Sequence, residues 1–144
     1  MTGFRSRSLG LLLVLTLATL SCGSSHQLTS VSLQPASADA KDYLNGQVQF
    51  TATGVFSSSN QPVTLTGKDV TWCYGGLANV GTPVSGICAG NVAQLVSVSQ
   101  NGVAQCNSGF HGMGLVMAGV PSGMPMPDAG QPMKVYGSAT LTCP

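Results

Sequence analysis

The sequence contains no glutamate, and its other charged residues are scarce. Only 6% of the 144 residues are charged, against ~25% in an average soluble domain. The basic stripe that would neutralise phosphate groups is missing, which argues against a nucleic-acid partner. Runs of like charge, which keep a chain unfolded, are missing too, so disorder driven by charge is excluded.

Helical periodicity and catalytic groupings are also lacking after the first 22 residues. No later apolar run approaches the ~20 residues that a transmembrane helix needs. The histidines His26 and His111 lie in a tether and beside a glycine-rich turn, without a nucleophile and orienting acid recognisable nearby. Paired carboxylates and a phosphate-binding glycine loop are not recognisable either. We therefore expect a protein that is not an enzyme and has no cofactor.

The first residues have the pattern of an export signal. Arg5 and Arg7 precede an apolar run from Gly10 to Leu20, and about 11 residues are too few to span a bilayer as a helix. The pattern predicts a signal peptide over residues 1–21. Ordinary secretion and an uncleaved anchor remain the alternatives.

The end of this signal is similar to a bacterial lipobox, after which the cysteine receives a lipid. The matching residues are Thr19-Leu20-Ser21-Cys22-Gly23, with Thr19 where the pattern prefers Leu. We expect lipidation at Cys22 and a lipidated flexible tether over 22–27. The expected location is the cell envelope, lipid-anchored to a membrane at the outer membrane or the periplasmic face.

The cysteine count fits this location. With Cys22 assigned to lipid, an even number remains, which suits disulfides in an oxidising compartment. A metal site is disfavoured because the spacings lack a Cys-x2-4-Cys pair. The spacings leave three pairings open, and we favour Cys73 with Cys88, which closes a glycine-rich loop, and Cys106 with Cys143.

From residue 28 onward the hydrophobic pattern has a period of two, which is typical of half-buried strands. About seven short strands separated by Gly, Ser, Asn and Pro indicate an all-β fold, an immunoglobulin-like β-sandwich of antiparallel strands over residues 28–144. We interpret Trp72 as a core residue, with an exposed sugar-stacking platform as the alternative. The predicted core residues are Val48, Phe50, Trp72, Val98, Val116 and Leu141.

Three segments interrupt the strand rhythm. Residues 75–91 are rich in glycine and are predicted to form a long loop. Residues 119–133 contain four prolines, which remove sheet donors, so an irregular connection is expected there. Asn101-Gly102 predicts a type I′ turn, in which both central residues have positive φ.

Taken in order, these strand motifs resemble the bacterial immunoglobulin-like domain of group 2, found in invasin- and intimin-type surface proteins. The resemblance covers about residues 28–143 and implies a sandwich fold and a cell-envelope setting. The four cysteines and the proline-rich segment depart from the family pattern. The matching stretches are 28–36 (LTSVSLQPA), 45–53 (NGQVQFTAT), 69–72 (DVTW), 96–103 (VSVSQNGV) and 137–142 (GSATLT).

The leading functional hypothesis is a non-enzymatic envelope lipoprotein with a structural, adhesive or protein-binding role, whose partner is an envelope protein or a surface ligand. The alternative is a periplasmic Cu(I)-binding protein, because thioether and imidazole are soft ligands that suit Cu(I). Gap-filling by flexible methionines is the simpler interpretation of the same residues. The candidate ligands in the segment 111–133 are His111, Met113, Met124 and Met126.

Overall fold

A computed structural model describes residues 26–78, 82–89, 96–123 and 130–144. These residues form eleven β-strands and two 3-10 turns, at Ala40–Asp42 and Leu44–Gly46. The predicted signal peptide, Cys22 and most of the tether lie outside them. The strands are β1 (Leu28–Gln34), β2 (Ser37–Asp39), β3 (Gln47–Gln49), β4 (Thr51–Phe56), β5 (Ser59–Leu65), β6 (Thr71–Ala78), β7 (Thr82–Cys88), β8 (Val96–Val98), β9 (Val103–Cys106), β10 (Gly112–Pro121) and β11 (Gln131–Cys143).

The described strands pair into three sheets. Their orders are β1-β4-β5, β3-β9-β8 and β10-β6-β7-β11-β2, and in the last sheet β10 also pairs with β11. The pairings are antiparallel except that of β2 with β11, which is parallel. The predicted all-β sandwich is confirmed, but the described strands outnumber the seven expected.

One periodic run of sequence supplies strands to two sheets, which explains part of the excess over the seven expected strands. The alternation over residues 47–53 predicts a single strand, yet β3 pairs with β9 whereas β4 pairs with β1 and β5. At the break, the Phe50 N–H donates to the Gly102 carbonyl at 2.9 Å. Val48, Phe50 and Ala52 are fully buried, so the inward alternation continues across the change of sheet.

The main core lies where the sheets face one another. Fully burying one large apolar side chain there contributes about 1.5–3 kcal/mol. Of the predicted core residues, Val98 is only half-buried, because it lies beside the turn that follows β8, and Val96 takes the buried position on that strand. The other five are buried: Val48, Phe50, Trp72, Val116 and Leu141.

A second, smaller core lies on the opposite face of β10. Strands β10, β6, β7 and β11 pair in a closed ring, since β7 contacts both β6 and β11. This ring contains a sulfur cluster, which consists of buried Met117, Met133 and Cys88 with Cys73 packed against them. The Cys88 Sγ and Met133 Sδ atoms are 3.5 Å apart. Methionine fills such irregular space well because its side chain is unbranched and flexible.

The glycine-rich segment 75–91 is not the long loop that was predicted. Thr71–Ala78 and Thr82–Cys88 instead form the antiparallel strands β6 and β7. Gly75 is buried, and a Cβ atom there would lie 2.9 Å from the Cβ of Leu115. Glycine therefore permits close approach to β10, and the absence of side chains that weakened the strand signal is what the packing requires.

The irregular connection predicted over 119–133 is shorter than expected. β10 continues to Pro121, and β11 already begins at Gln131, whereas residues 124–129 lie outside the described part. A register shift between Val120 and Pro121 accommodates the first of these strand prolines. Proline is tolerated at such a bulge because the regular ladder hydrogen bonds are interrupted there.

The type I′ turn occurs at the other Asn-Gly pair. Asn45 and Gly46 have φ of +56° and +65°, and the Gln47 N–H donates to the Leu44 carbonyl, as this turn type requires. At the predicted site only Gly102 has positive φ, +80°. Its N–H donates to Ser99 at 3.0 Å, so this hairpin has a longer loop with a glycine bulge.

We expect Gly137→Ala to destabilise the protein by about 1–3 kcal/mol, the usual cost of overpacking a core. A Cβ at Gly137 would lie 2.8 Å from the Val31 carbonyl oxygen, which is backbone and cannot move aside cheaply. Urea unfolding measures the change. Gly123→Ala is the matched control, because its Cβ would meet nothing within 4 Å. Equal stability of the two variants would contradict the close packing of β1 on β11.

We expect Tyr74→Phe to raise the free energy of unfolding by about 1 kcal/mol, because a buried unpaired hydroxyl is costly. Within the described part of the chain, the Tyr74 hydroxyl has no hydrogen-bond partner. Burial raises the pKa of Tyr74 above its ordinary value of 10.0.

The unfolded chain therefore loses the Tyr74 proton first, and wild-type stability falls as the pH rises above 10.0, up to the folded pKa. Urea unfolding at several alkaline pH values should show a smaller loss for Tyr74→Phe than for the control Tyr136→Phe, which changes an exposed ring. Identical profiles for both variants would refute this prediction.

Candidate functional site

The connection between β2 and β3 forms an exposed turn that carries two exposed large hydrophobic residues. We define the Tyr43 turn as residues 39–46. Tyr43 is 40% exposed and Leu44 is 85% exposed, whereas Ala40 is 2% exposed and anchors the turn in the main core. The turn therefore presents two large apolar side chains to solvent beside a buried anchor.

Local hydrogen bonds give the Tyr43 turn a defined shape. The Asp39 carboxylate accepts from the Lys41 backbone N–H at 3.1 Å and lies 2.9 Å from the Lys41 ammonium. The Tyr43 N–H donates to the Ala40 carbonyl at 3.2 Å, and the Gly46 N–H donates to the Tyr43 carbonyl at 3.0 Å. The backbone on both sides of Tyr43 is therefore fixed.

Three tertiary contacts hold the Tyr43 turn against the sandwich. Strand β2 pairs with β11, which sets Asp39 beside Thr142. The Gln105 side chain donates to the Asn45 carbonyl at 3.3 Å. Nearby, a disulfide joins Cys106 on β9 to Cys143 on β11. Strands β2, β9 and β11 thus support the turn. Hydrogen bonds join β2 to β11, and the disulfide joins β9 to β11.

Among the described residues, two depressions share Tyr43 as a lining residue. The larger has a volume of about 470 Å³ and the smaller about 310 Å³, within the ~300–1,000 Å³ typical of ligand sites. The larger is lined by Ser37, Ala38, Asp39, Asp42, Tyr43 and Thr142. The smaller is lined by Ala40, Lys41, Tyr43, Asn45, Gly46, Gln105, Cys106 and Pro144.

Charges in the Tyr43 turn largely offset one another. Hydrogen bonding to Lys41 lowers the pKa of Asp39, and the same contact, with the charges of Asp39 and Asp42, raises the pKa of Lys41. Asp39 and Lys41 are therefore both ionised at neutral pH and form an ion pair. The turn offers charged hydrogen-bonding groups without a strong field.

The structure joins the cysteines in the pairing that the sequence analysis favours. Cys73–Cys88 lies in the sulfur cluster and Cys106–Cys143 lies beside the Tyr43 turn, with Cα–Cα distances of 5.5 and 5.8 Å. For closed loops of 15 and 37 residues, the stabilisation is about 3 and 4 kcal/mol. Cys22 lies outside the described residues.

The candidate copper ligands are only partly within the described residues. Met113 is 66% exposed, and His111, also exposed, hydrogen-bonds through Nδ1 to the Pro144 carbonyl. Met124 and Met126 lie outside the described part. Elsewhere in the described ranges, no group of three or more His, Cys, Asp or Glu is placed to hold a metal ion.

The other histidine forms a serine–histidine pair that the sequence did not suggest. His26 Nδ1 and Ser58 Oγ are 2.7 Å apart, and both residues are exposed. The ring also makes an edge contact with Phe56. A catalytic pair needs a third group that orients the imidazole, and an aromatic edge cannot supply one. Among the described residues, the contact is thus a surface hydrogen bond between two exposed side chains.

The Tyr43 turn was not among the predicted sites, although two features of the sequence point to it. Asp39, Lys41 and Asp42 bring three of the chain's few charges together. Asn45-Gly46 is the other Asn-Gly pair, and it forms the type I′ turn that was expected at residues 101–102.

Trp72 is buried, with its ring close to Gly102. It therefore offers no exposed sugar-stacking platform.

No protein-family model matches the chain, and no curated protein matches it. Among the described residues, no helix is long and apolar enough to cross a membrane. The structure establishes the fold class: the chain is an all-β sandwich.

We expect Lys41→Met to raise the pKa of Asp39 back toward its ordinary value of 3.8, because the hydrogen-bonding ammonium is lost. A lowered folded pKa means that ionised Asp39 contributes stability above pH 3.8, which is lost as the pH falls through the folded pKa. NMR titration of the side-chain carboxyls measures this change.

Asp69 serves as the internal control in that titration. Thr66 lowers its pKa through backbone and hydroxyl hydrogen bonds, both at 2.8 Å, so Lys41→Met should leave Asp69 unchanged. A wild-type Asp39 that titrates at 3.8, or a variant that shifts both carboxyls equally, would contradict the proposed contact.

Proposed function

We propose that the protein is a non-enzymatic, lipid-anchored protein of the bacterial cell envelope that binds a surface partner through the Tyr43 turn. The observation that carries this proposal is a rigid turn, braced by the Cys106–Cys143 disulfide, which holds Tyr43 and Leu44 in solvent. Proteins bind partners economically through such preorganised loops, because little conformational entropy is lost on association.

The disulfides support an exported location. Bonds between cysteines form and persist in oxidising compartments and are rare in the cytosol. Cys88 and Cys143 are 5% and 3% exposed, so both disulfides belong to the packed interior and not to a surface switch. A leader with a lipobox-like end at Cys22 is consistent with the same compartment.

An immunoglobulin-like module suits this role because it separates support from recognition. The disulfides and the buried strands stabilise the sandwich, while an end turn remains free to vary in sequence. Lipid at Cys22 would attach the chain before β1, and residues 23–27 would act as the tether. We infer an adhesive or protein-binding role from this arrangement.

Mass spectrometry of the full-length protein expressed in bacteria tests the proposal. We expect the mature chain to begin at Cys22 with diacylglycerol attached. After reduction, alkylation should reach the other four cysteines, which resist it beforehand. Cys22→Ala should abolish fatty-acid incorporation and membrane retention because the lipid acceptor is removed.

Cys73→Ala is the matched control, because it removes a cysteine that is disulfide-bonded and should leave lipidation intact. A purified protein that retains residues 1–21 with an unmodified Cys22 thiol would overturn the lipid anchor. Cysteines that react fully without reduction would remove the support for export.

A further inference from the structure

Tyr43 lines both depressions, so a ligand on either side meets the same aromatic residue. The ring is 40% exposed, while the backbone on both sides of it is held by hydrogen bonds to Ala40 and from Gly46. An aromatic ring combines an apolar face with a polar tip. An exposed tyrosine ring on a fixed backbone can stack on a flat apolar surface such as the face of a sugar ring.

The larger depression surrounds that ring with small hydroxyl and carboxylate groups. Ser37 and Thr142 supply hydroxyls, and Asp39 and Asp42 supply carboxylates. Hydroxyls both donate and accept, whereas ionised carboxylates accept strong hydrogen bonds from neutral donors. The natural complement is a ligand that carries several neutral hydroxyl groups at its rim.

The smaller depression adds two amide side chains that can also bond hydroxyl groups of a ligand. Asn45 and Gln105 line it together with Lys41. Gln105 is held in place by contacts to the Asn45 carbonyl at 3.3 Å and to the Gln47 side chain at 3.4 Å. An amide presents a donor and an acceptor side by side, which fits two adjacent hydroxyls.

The charge of the turn disfavours an anionic ligand. Lys41 lines only the smaller depression, and its ammonium already lies 2.9 Å from the Asp39 carboxylate. Asp42 adds a negative charge beside it. A phosphate, sulfate or acidic peptide would therefore meet net repulsion, whereas a neutral polyol would not.

We propose that the two depressions beside Tyr43 bind a neutral glycan, with the tyrosine ring stacking on a sugar and the flanking hydroxyl, carboxylate and amide groups bonding its hydroxyls. This inference rests on the proposed surface-binding function and names its ligand class. The shallow, open form of the two depressions suits an extended oligosaccharide that lies across Tyr43.

The test measures binding of the mature, detergent-solubilised lipoprotein with its disulfides intact. The probes are cellohexaose, maltohexaose, mannohexaose and N-acetylchitohexaose, with a heparin hexasaccharide as the anionic comparison. Isothermal titration calorimetry gives the affinity. We expect at least one neutral probe to bind and the heparin probe to bind more weakly or not at all.

Two variants locate the binding. Tyr43→Ala should weaken the neutral probe about tenfold or more, equivalent to ~1.4 kcal/mol, while Tyr136→Ala, which removes another exposed ring, should leave it unchanged. If Tyr43→Ala fails to fold, Asp42→Ala tests the site instead. Of the two depressions beside Tyr43, Asp42 lines only the larger, and its loss should also weaken binding of the neutral probe.

Failure of all neutral probes, stronger binding of heparin, or equal losses in the Tyr43 and Tyr136 variants would overturn the glycan assignment. Those outcomes leave the lipid-anchor measurement untouched, since the mass of the N-terminal peptide reports it separately. The converse outcome is an unlipidated, unprocessed chain that still binds a neutral hexasaccharide through Tyr43. The glycan site would then stand, while the proposed envelope anchoring would fall.

Discussion

The antiparallel ladder between β10 and β11 is the constraint on which the rest of the structure depends. It runs from the pair Gly112–Cys143 to the pair Pro121–Met133 and has a buried side chain on each of its faces. Val116 and Leu141 face the main core, whereas Met117 and Met133 face the sulfur cluster. Because side chains alternate along a strand, one ladder organises two separate cores.

One disulfide ties an end of this ladder to β9, and the other joins β6 to β7, the two strands that complete the ring around the sulfur cluster. Cys143, in the last pair of β11, is bonded to Cys106, and this bond steadies the end that carries the Tyr43 turn. Toward the other end, Cys88 on β7 pairs with Gln131 and is bonded to Cys73 on β6. The disulfides thus stabilise the two cores separately, which matters in a chain with few charged residues.

The Tyr43 turn derives its shape from both local and distant contacts. Asp39 and the Asn45-Gly46 pair determine the local bends, because a short carboxylate caps a turn and both Asn and Gly tolerate positive φ. The position of the turn depends instead on β2, which joins β11 in parallel after a turn at residues 35–36. Such a parallel pairing has no local signature, because its partner lies about a hundred residues further along the chain.

The sequence alone determined the strand character and most of the main core, because period-two alternation is a local property. It left three cysteine pairings open, and only the tertiary structure joins Cys73 to Cys88 and Cys106 to Cys143. Val48, Phe50, Trp72, Val116 and Leu141 are buried as the alternation predicts. The tertiary structure decided which strands pair, that Gly75 lies within a strand, and that Met117 and Met133 fill a second core. Those outcomes depend on which strands come into contact when the chain folds, and several of the partners are far apart in sequence. The gathering of Tyr43 and Thr142 around one depression has the same cause, since it requires β2 and β11 to lie side by side.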